Sequence, residues 1–126
     1  MTYALSAASL AKLSHLHPDL QKVVKRAIQL TPVDFTVLEG LRTIERQKKL
    51  VAAGASKTMN SRHLTGHAVD LAPLEDGEVS WAWPLYHKLA PAVKQAAKEL
   101  GVPITWGGDW KFKDGPHWEL SWKHYP

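Results

Sequence analysis

The chain has 126 residues, 44% hydrophobic and 22% charged, with eight Gly, eight Pro and no Cys. This length suits one domain with its own core, since two cores would each be marginal, and the composition excludes a disordered or coiled-coil chain. Without Cys there is no disulfide framework, thiolate metal site or cysteine nucleophile, and no run nears the ~20 apolar residues of a membrane helix.

Residues 1–10 lack a basic segment followed by a solid apolar run, so no secretory signal is expected. Residues 6–14 read as a short helix. Pro18 then opens a second, in which Leu20, Val23, Val24, Ala27 and Ile28 recur at helical spacing. Lys22, Lys25 and Arg26 fall on its solvated face, and Thr31-Pro32 ends it. Residues 35–38 form a strand that stops at Glu39-Gly40. Thr43 caps a helix running to Ala53, with Gly54 as the stop. Residues 55–62 are polar and loop-like, 68–72 alternate as a strand, and Glu75-Asp76-Gly77 is a turn. A helix over 84–100 is interrupted at Pro91 and closed by Gly101. Two strands follow, at 103–106 and 117–122. Helices come mostly first and short strands later, so the expected fold is α+β, a small antiparallel sheet with flanking helices.

The unusual counts are seven His and six Trp. The net charge of +4, from 16 Lys and Arg against 12 Asp and Glu, favours anionic partners: nucleic acid, phospholipid headgroups or bacterial wall polymers.

Residues 61–70 offer two arrangements to a metal. His63 and His67 could act as an i, i+4 pair on a helix, but Leu64 stands where such sites carry a Glu, and Thr65, Gly66 and Val69 form helix poorly. Alternatively, a turn at Gly66 brings His63 and Asp70 to one point as nitrogen and oxygen ligands. His117 then supplies a third ligand, and Asp114, across a Gly-Pro turn, can take a proton from water at the metal. Spacing alone does not separate this from unconnected surface His and Asp residues.

Ser61, His63, Gly66, Ala68 and Asp70 match, in order and spacing, the S-x-H-x-x-G-x-A-x-D motif of the D-alanyl-D-alanine metallopeptidase family. This family groups with lysostaphin and the hedgehog signalling domain by zinc-site architecture. Asp114-x-x-His117 matches its second motif. The chain resembles single-domain phage endolysins that are L-alanyl-D-glutamate endopeptidases, through Phe35-Thr36-Val37-Leu38-Glu39-Gly40-Leu41-Arg42-Thr43, residues 61–73, Lys98-Glu99-Leu100-Gly101 and Trp106-Gly107-Gly108-Asp109-Trp110. The resemblance covers residues 18–120.

It implies one Zn²⁺ per chain on His63, Asp70 and His117, with the zinc site at the sheet. Asp114 would be the general base, Arg42 would hold substrate and the developing oxyanion, and Ser61 would bind substrate or orient the loop. Gln47 falls where the family often keeps a glutamine, but reads here as an exposed helix residue. Glu119, on the same strand face as His117, can orient its imidazole. His67 reads as exposed or hydrogen-bonded, and His15, His17, His87 and His124 have no motif around them. The acidic insertion found in calcium-regulated endolysins is missing, with only Lys111-Phe112-Lys113 between Trp110 and Asp114. Trp81 and Trp83 read as core or groove wall. Trp106, Trp110, Trp118 and Trp122 surround the second motif, mostly as sheet packing with a minority lining the cleft.

The implied activity is zinc-dependent hydrolysis of the L-alanyl-D-glutamate bond in peptidoglycan stem peptides. The alternatives are a D-alanyl-D-alanine carboxypeptidase and, from other classes, a basic nucleic-acid-binding module or a non-catalytic metal module. The resemblance further implies a single catalytic domain over 1–126 with no separate wall-binding domain, a monomer without nucleic-acid partners, and electrostatic contact with the anionic envelope. Synthesis in the host cytoplasm and action on the wall after membrane permeabilisation complete the expectation.

Overall fold

Leu20, Val23, Val24, Ala27 and Ile28 are all buried, and they form the inner face of helix α2 (Pro18–Leu30) in the computed structural model. The structure describes residues 3–56, 58–59 and 61–126. Met1 and Thr2, at the head of the segment read for a signal, and Lys57 and Asn60, in the expected loop, lie outside the described residues. Before α2 runs α1 (Ala7–Leu13), capped by the Ser6 side chain, which accepts from Ser9 N. His17 caps α2 in the same way, its Nδ1 accepting from Asp19 N, a cap that the sequence pattern did not suggest.

Strands β1 (Phe35–Glu39), β2 (Ala68–Glu75), β5 (His117–Leu120) and β4 (Ile104–Trp106) form an antiparallel sheet in the order β1-β2-β5-β4, and β3 (Glu78–Val79) pairs with the end of β2. Helix α3 (Ile44–Ala52) follows β1, with Thr43 as its N-cap. Helix α4 (Trp83–Leu100) precedes β4 and packs against α2. One sheet face meets these helices through Val37, Val69, Leu71, Trp118 and Leu120, all essentially inaccessible. The α+β expectation holds. Among the described residues no helix is long and apolar enough to cross a membrane.

Three local expectations are corrected. The chain stays helical through Pro91. Pro91 costs one backbone bond, but Leu89, Ala90, Val93, Ala96 and Ala97 are buried around it, and that packing holds the helix together. β2 extends to Glu75, through Pro73. Pro73 O still accepts from Ser80 N on the β3 side, so the proline forfeits only the one return bond its missing N–H would have made, at the end of the sheet. β5 stops at Leu120: Ser121 N still donates across to Pro103 O, but Pro103 has no N–H to return, and His124 N and Tyr125 N donate back to Ser121 O in a turn. The Asp76-Gly77 turn, with both residues at positive φ, closes a tight β2–β3 hairpin.

Candidate metal centre and catalytic cleft

Sheet register brings the candidate residues together. Asp70 pairs with His117 and Ala68 with Glu119, so Asp70, His117 and Glu119 share the face opposite the core. On the other side of β2, register slips between Val37 and Glu39, so that Glu39 pairs with Asp70. This bulge re-aims Glu39 onto the same face.

His63 arrives from outside the sheet, on a 3₁₀ turn (Arg62–Thr65) capped by Ser61 Oγ, which accepts from His63 N. Gly66 ends the turn at φ 75°, and a Cβ there would lie 3.2 Å from His15 O. Both the left-handed conformation and the close approach require glycine. His63 Nδ1 lies 2.9 Å from Gly40 O and donates to it, and Nε2 lies 3.2 Å from Asp70 Oδ1. His117 is oriented in the complementary sense. Its Nε2 lies 2.7 Å from Glu119 Oε1 and its Nδ1 3.4 Å from Asp70 Oδ1.

One ligand atom from each of His63, Asp70 and His117 lies within 4.8 Å of the others. Two donors at about 2.1 Å from a tetrahedral ion sit roughly 3.4 Å apart, so this nitrogen, nitrogen, oxygen set fits an ion such as zinc. Gly40 O and Glu119 supply the outer hydrogen bonds that ligating histidines ordinarily have. Glu119 stands within hydrogen-bond distance of His117 on the shared strand face. His67 is not part of the cluster; its Nδ1 lies 2.6 Å from Thr65 Oγ1.

The charges respond to this crowding. Burial pushes the Asp70 carboxyl up, but hydrogen bonds from His117 and His63 outweigh it and hold Asp70 well below the usual carboxylate range. Burial pushes His117 down, but its bonds to Asp70 and Glu119 outweigh that and raise it to about 9. A proton held more tightly in the folded chain stabilises it fully below the unfolded value near 6.5, and that stabilisation is lost as pH rises through 9. Without metal, the thermal midpoint should therefore fall between about pH 6.5 and 9.5, and a saturating divalent metal, which replaces the proton, should abolish the fall. Thermal denaturation of chelator-treated protein across this range checks it; a flat profile without metal would contradict the arrangement.

Asp114 stands at the exposed lip of the cleft, on the loop between a 3₁₀ turn (Gly107–Asp109) and β5. Its backbone N donates to Gly107 O at 2.9 Å. A Cβ on residue 107 would come 2.4 Å from Asp114 O and 3.0 Å from His117 Cβ, so glycine at 107 is what lets the Asp114 loop lie against the start of β5. Partial burial and the charge of Asp70 raise the Asp114 pKa, making it a stronger base than an ordinary aspartate.

Arg42 is held by three side chains. Nε and Nη2 donate to the two Glu39 oxygens at 2.7 and 2.9 Å, and Nη1 donates to Gln47 Oε1 at 2.7 Å and, more weakly, to Ser61 Oγ at 3.4 Å. Gln47 is therefore not an exposed helix residue: it is fully buried, and its Nε2 donates to Ser56 Oγ and Thr58 O. An amide buried beneath α3 presents the same helical spacing as an exposed one, so periodicity could not distinguish them. Glu39 was missed altogether. The signal for it was Glu39-x-x-Arg42 at a strand end, the spacing of an ion pair.

Glu39, Arg42, His63, Asp70, Asp114 and His117 line a cleft of about 740 Å³ that also includes Trp110 and Trp122. Trp106 and Trp118 are buried and stacked, centroids 5.5 Å apart, so two of the four clustered tryptophans pack the sheet and two line the cleft. Trp81 and Trp83 are not core, being 63% and 39% exposed. They precede and begin α4 beyond the sheet, where Trp83 packs on Tyr86 and His87.

Over residues 1–124 the sequence matches the phage L-alanyl-D-glutamate peptidase family. The chain belongs to this family. Among the members it resembles is the L-alanyl-D-glutamate peptidase of Escherichia phage T5, 35% identical over 125 residues, covering 96% of this chain and 91% of that protein. The peptidase of the same name from Listeria phage A118 is 30% identical over 129 residues, which are 99% of this chain but 45% of that longer protein. The fold of this family member superposes on the Serratia marcescens L-Ala D-Glu endopeptidase ChiX with a TM-score of 0.93 at 47% identity, covering 98% of this chain and 94% of ChiX. The vancomycin-resistance D,D-dipeptidase VanXYg matches at a TM-score of 0.53 and 15% identity, over 83% of this chain and 50% of that one, a likeness of fold alone.

Proposed function

We propose that this protein is a zinc peptidase that hydrolyses the bond between L-Ala and D-Glu in peptidoglycan stem peptides, in the role of a phage or prophage endolysin. The observation that carries the reading is the convergence of His63, Asp70 and His117 beside Asp114 in a chain of this peptidase family. The 47% identity to an L-Ala D-Glu endopeptidase across nearly all of both chains supports the bond specificity over the carboxypeptidase alternative.

His63 Nε2, an Asp70 oxygen and His117 Nδ1 would hold the ion. Bound there, zinc supplies a Lewis acid that polarises a carbonyl oxygen and makes water acidic near neutral pH. Asp114 takes the proton from the attacking water and delivers it to the departing D-Glu amine. Arg42, fixed by Glu39 and Gln47, presents permanent donors to the substrate and to the oxygen on which negative charge develops. Ser61 organises the His63 turn and touches Arg42. Gly40 O and Glu119 hold the two imidazoles in their working tautomers.

The remaining parts of the reading follow from it. Residues 1–126 act as one catalytic domain, as a monomer, on a substrate in the cell wall reached once the host membrane is permeabilised, and the +4 charge favours contact with the anionic envelope rather than nucleic acid. Exhaustive chelation should abolish lysis of purified walls, and stoichiometric Zn²⁺ should restore it. Lysis that persists after the metal has been removed would refute the zinc mechanism.

A further inference from the structure

Trp122 is 57% exposed, yet its ring is fixed. The Arg62 guanidinium lies 4.1 Å from the ring centroid, and Arg62 is itself only 5% exposed. Its Nη2 donates to Leu120 O at 3.1 Å and to Tyr125 O, so the cation behind the ring is anchored to the backbone on both sides of it. One face of the indole is therefore backed by a buried cation, and the ring, lining the cleft, keeps its remaining surface open. A large exposed aromatic held in one orientation marks a contact surface, since exposure gains nothing for the folded chain.

The chemistry around that face is specific. The same cleft carries the hydroxyls of Ser56, Ser61 and Thr105. A flat aromatic face with hydroxyl partners suits a sugar ring, whose C–H bonds pack on the indole while its hydroxyls find polar groups. In the stem peptide the L-Ala amine is acylated by the lactyl group of muramic acid. The sugar thus begins about two residue lengths, roughly 7 Å, from the cleaved bond. Trp122 lies beyond the end of β5, but it lines the same cleft as His63, Asp70 and His117, so one occupant of that cleft meets both that cluster and the indole.

We propose that the open face of Trp122, backed by Arg62, is a subsite for the muramyl sugar, so that the enzyme prefers glycan-linked stem peptides to sugar-free ones. The proposal rests on the L-Ala–D-Glu peptidase reading. Its test compares kcat/KM on a purified disaccharide-tetrapeptide with that on the same tetrapeptide carrying an N-acetyl group in place of the sugar. The unaltered protein should favour the sugar-linked substrate about tenfold, and Trp122→Ala should bring the ratio near one, mainly through KM. Trp122→Tyr, which keeps an aromatic face, should retain most of the preference; this variant separates stacking from any loss of fold. Equal rates on the two substrates with the unaltered protein, or a preference that survives Trp122→Ala, would overturn the subsite. Cleavage of neither substrate at L-Ala–D-Glu would instead overturn the peptidase reading, and the subsite with it.

Discussion

Asp114→Asn should lower kcat by about a thousandfold, the middle of the range for losing a general base, while zinc content and fold are retained. Asp114 is outside the cluster formed by His63, Asp70 and His117, so the ion has no reason to leave. Asparagine keeps the backbone bond from residue 114 N to Gly107 O and the shape of the loop. The stability effect should be small, because burial and Asp70 already disfavour the charged form of Asp114, and removing that charge from an exposed lip costs the fold little. Metal analysis, thermal denaturation and turnover on muropeptides measure the three quantities separately. Normal turnover in this variant would mean that another group takes the proton.

Arg42→Ala should be nearly as damaging to activity and, unlike Asp114→Asn, should also destabilise the protein. The guanidinium answers both Glu39 oxygens and Gln47 Oε1 at once, and its side chain is only 10% exposed. Truncation leaves the Glu39 carboxylate, held below its ordinary range chiefly by its hydrogen bond with Arg42, without its partner. A cost of about 1–3 kcal/mol in stability follows from the lost charged hydrogen bonds. The loss of a fixed donor at the developing oxyanion should reduce kcat/KM by about 10²–10³-fold. Denaturant titration and steady-state kinetics on the same sample check both, with zinc content expected to be unchanged. A stability loss without a kinetic one would make Arg42 a structural brace.

Much of this was legible in the amino-acid sequence because it depends on short-range signals. The helix cap at Thr43, the Gly101 stop and the apolar spacing in α2 are local, and each is found as expected. His63, Asp70 and His117 were readable because a Gly turn and one antiparallel pairing suffice to bring them together. What escaped depends on tertiary contacts. Gln47 becomes buried only because residues 56 and 58 fold over α3, and Glu39 enters the cleft only through a bulge whose register is set across the sheet. Pro91 stays helical because the surrounding core outweighs a local penalty. Arg62 shows the same limit: within a segment read as a polar loop, it is buried and reaches Leu120 O, 58 residues away.

The central claim is that this cleft cuts the L-Ala–D-Glu bond, and product analysis tests it most directly. Purified peptidoglycan digested with the zinc-loaded protein should yield, by mass spectrometry, stem peptides with a new N-terminal D-Glu, alongside glycan that retains only L-Ala on its lactyl groups. Loss of a single terminal D-Ala, with the L-Ala–D-Glu bond intact, would contradict it.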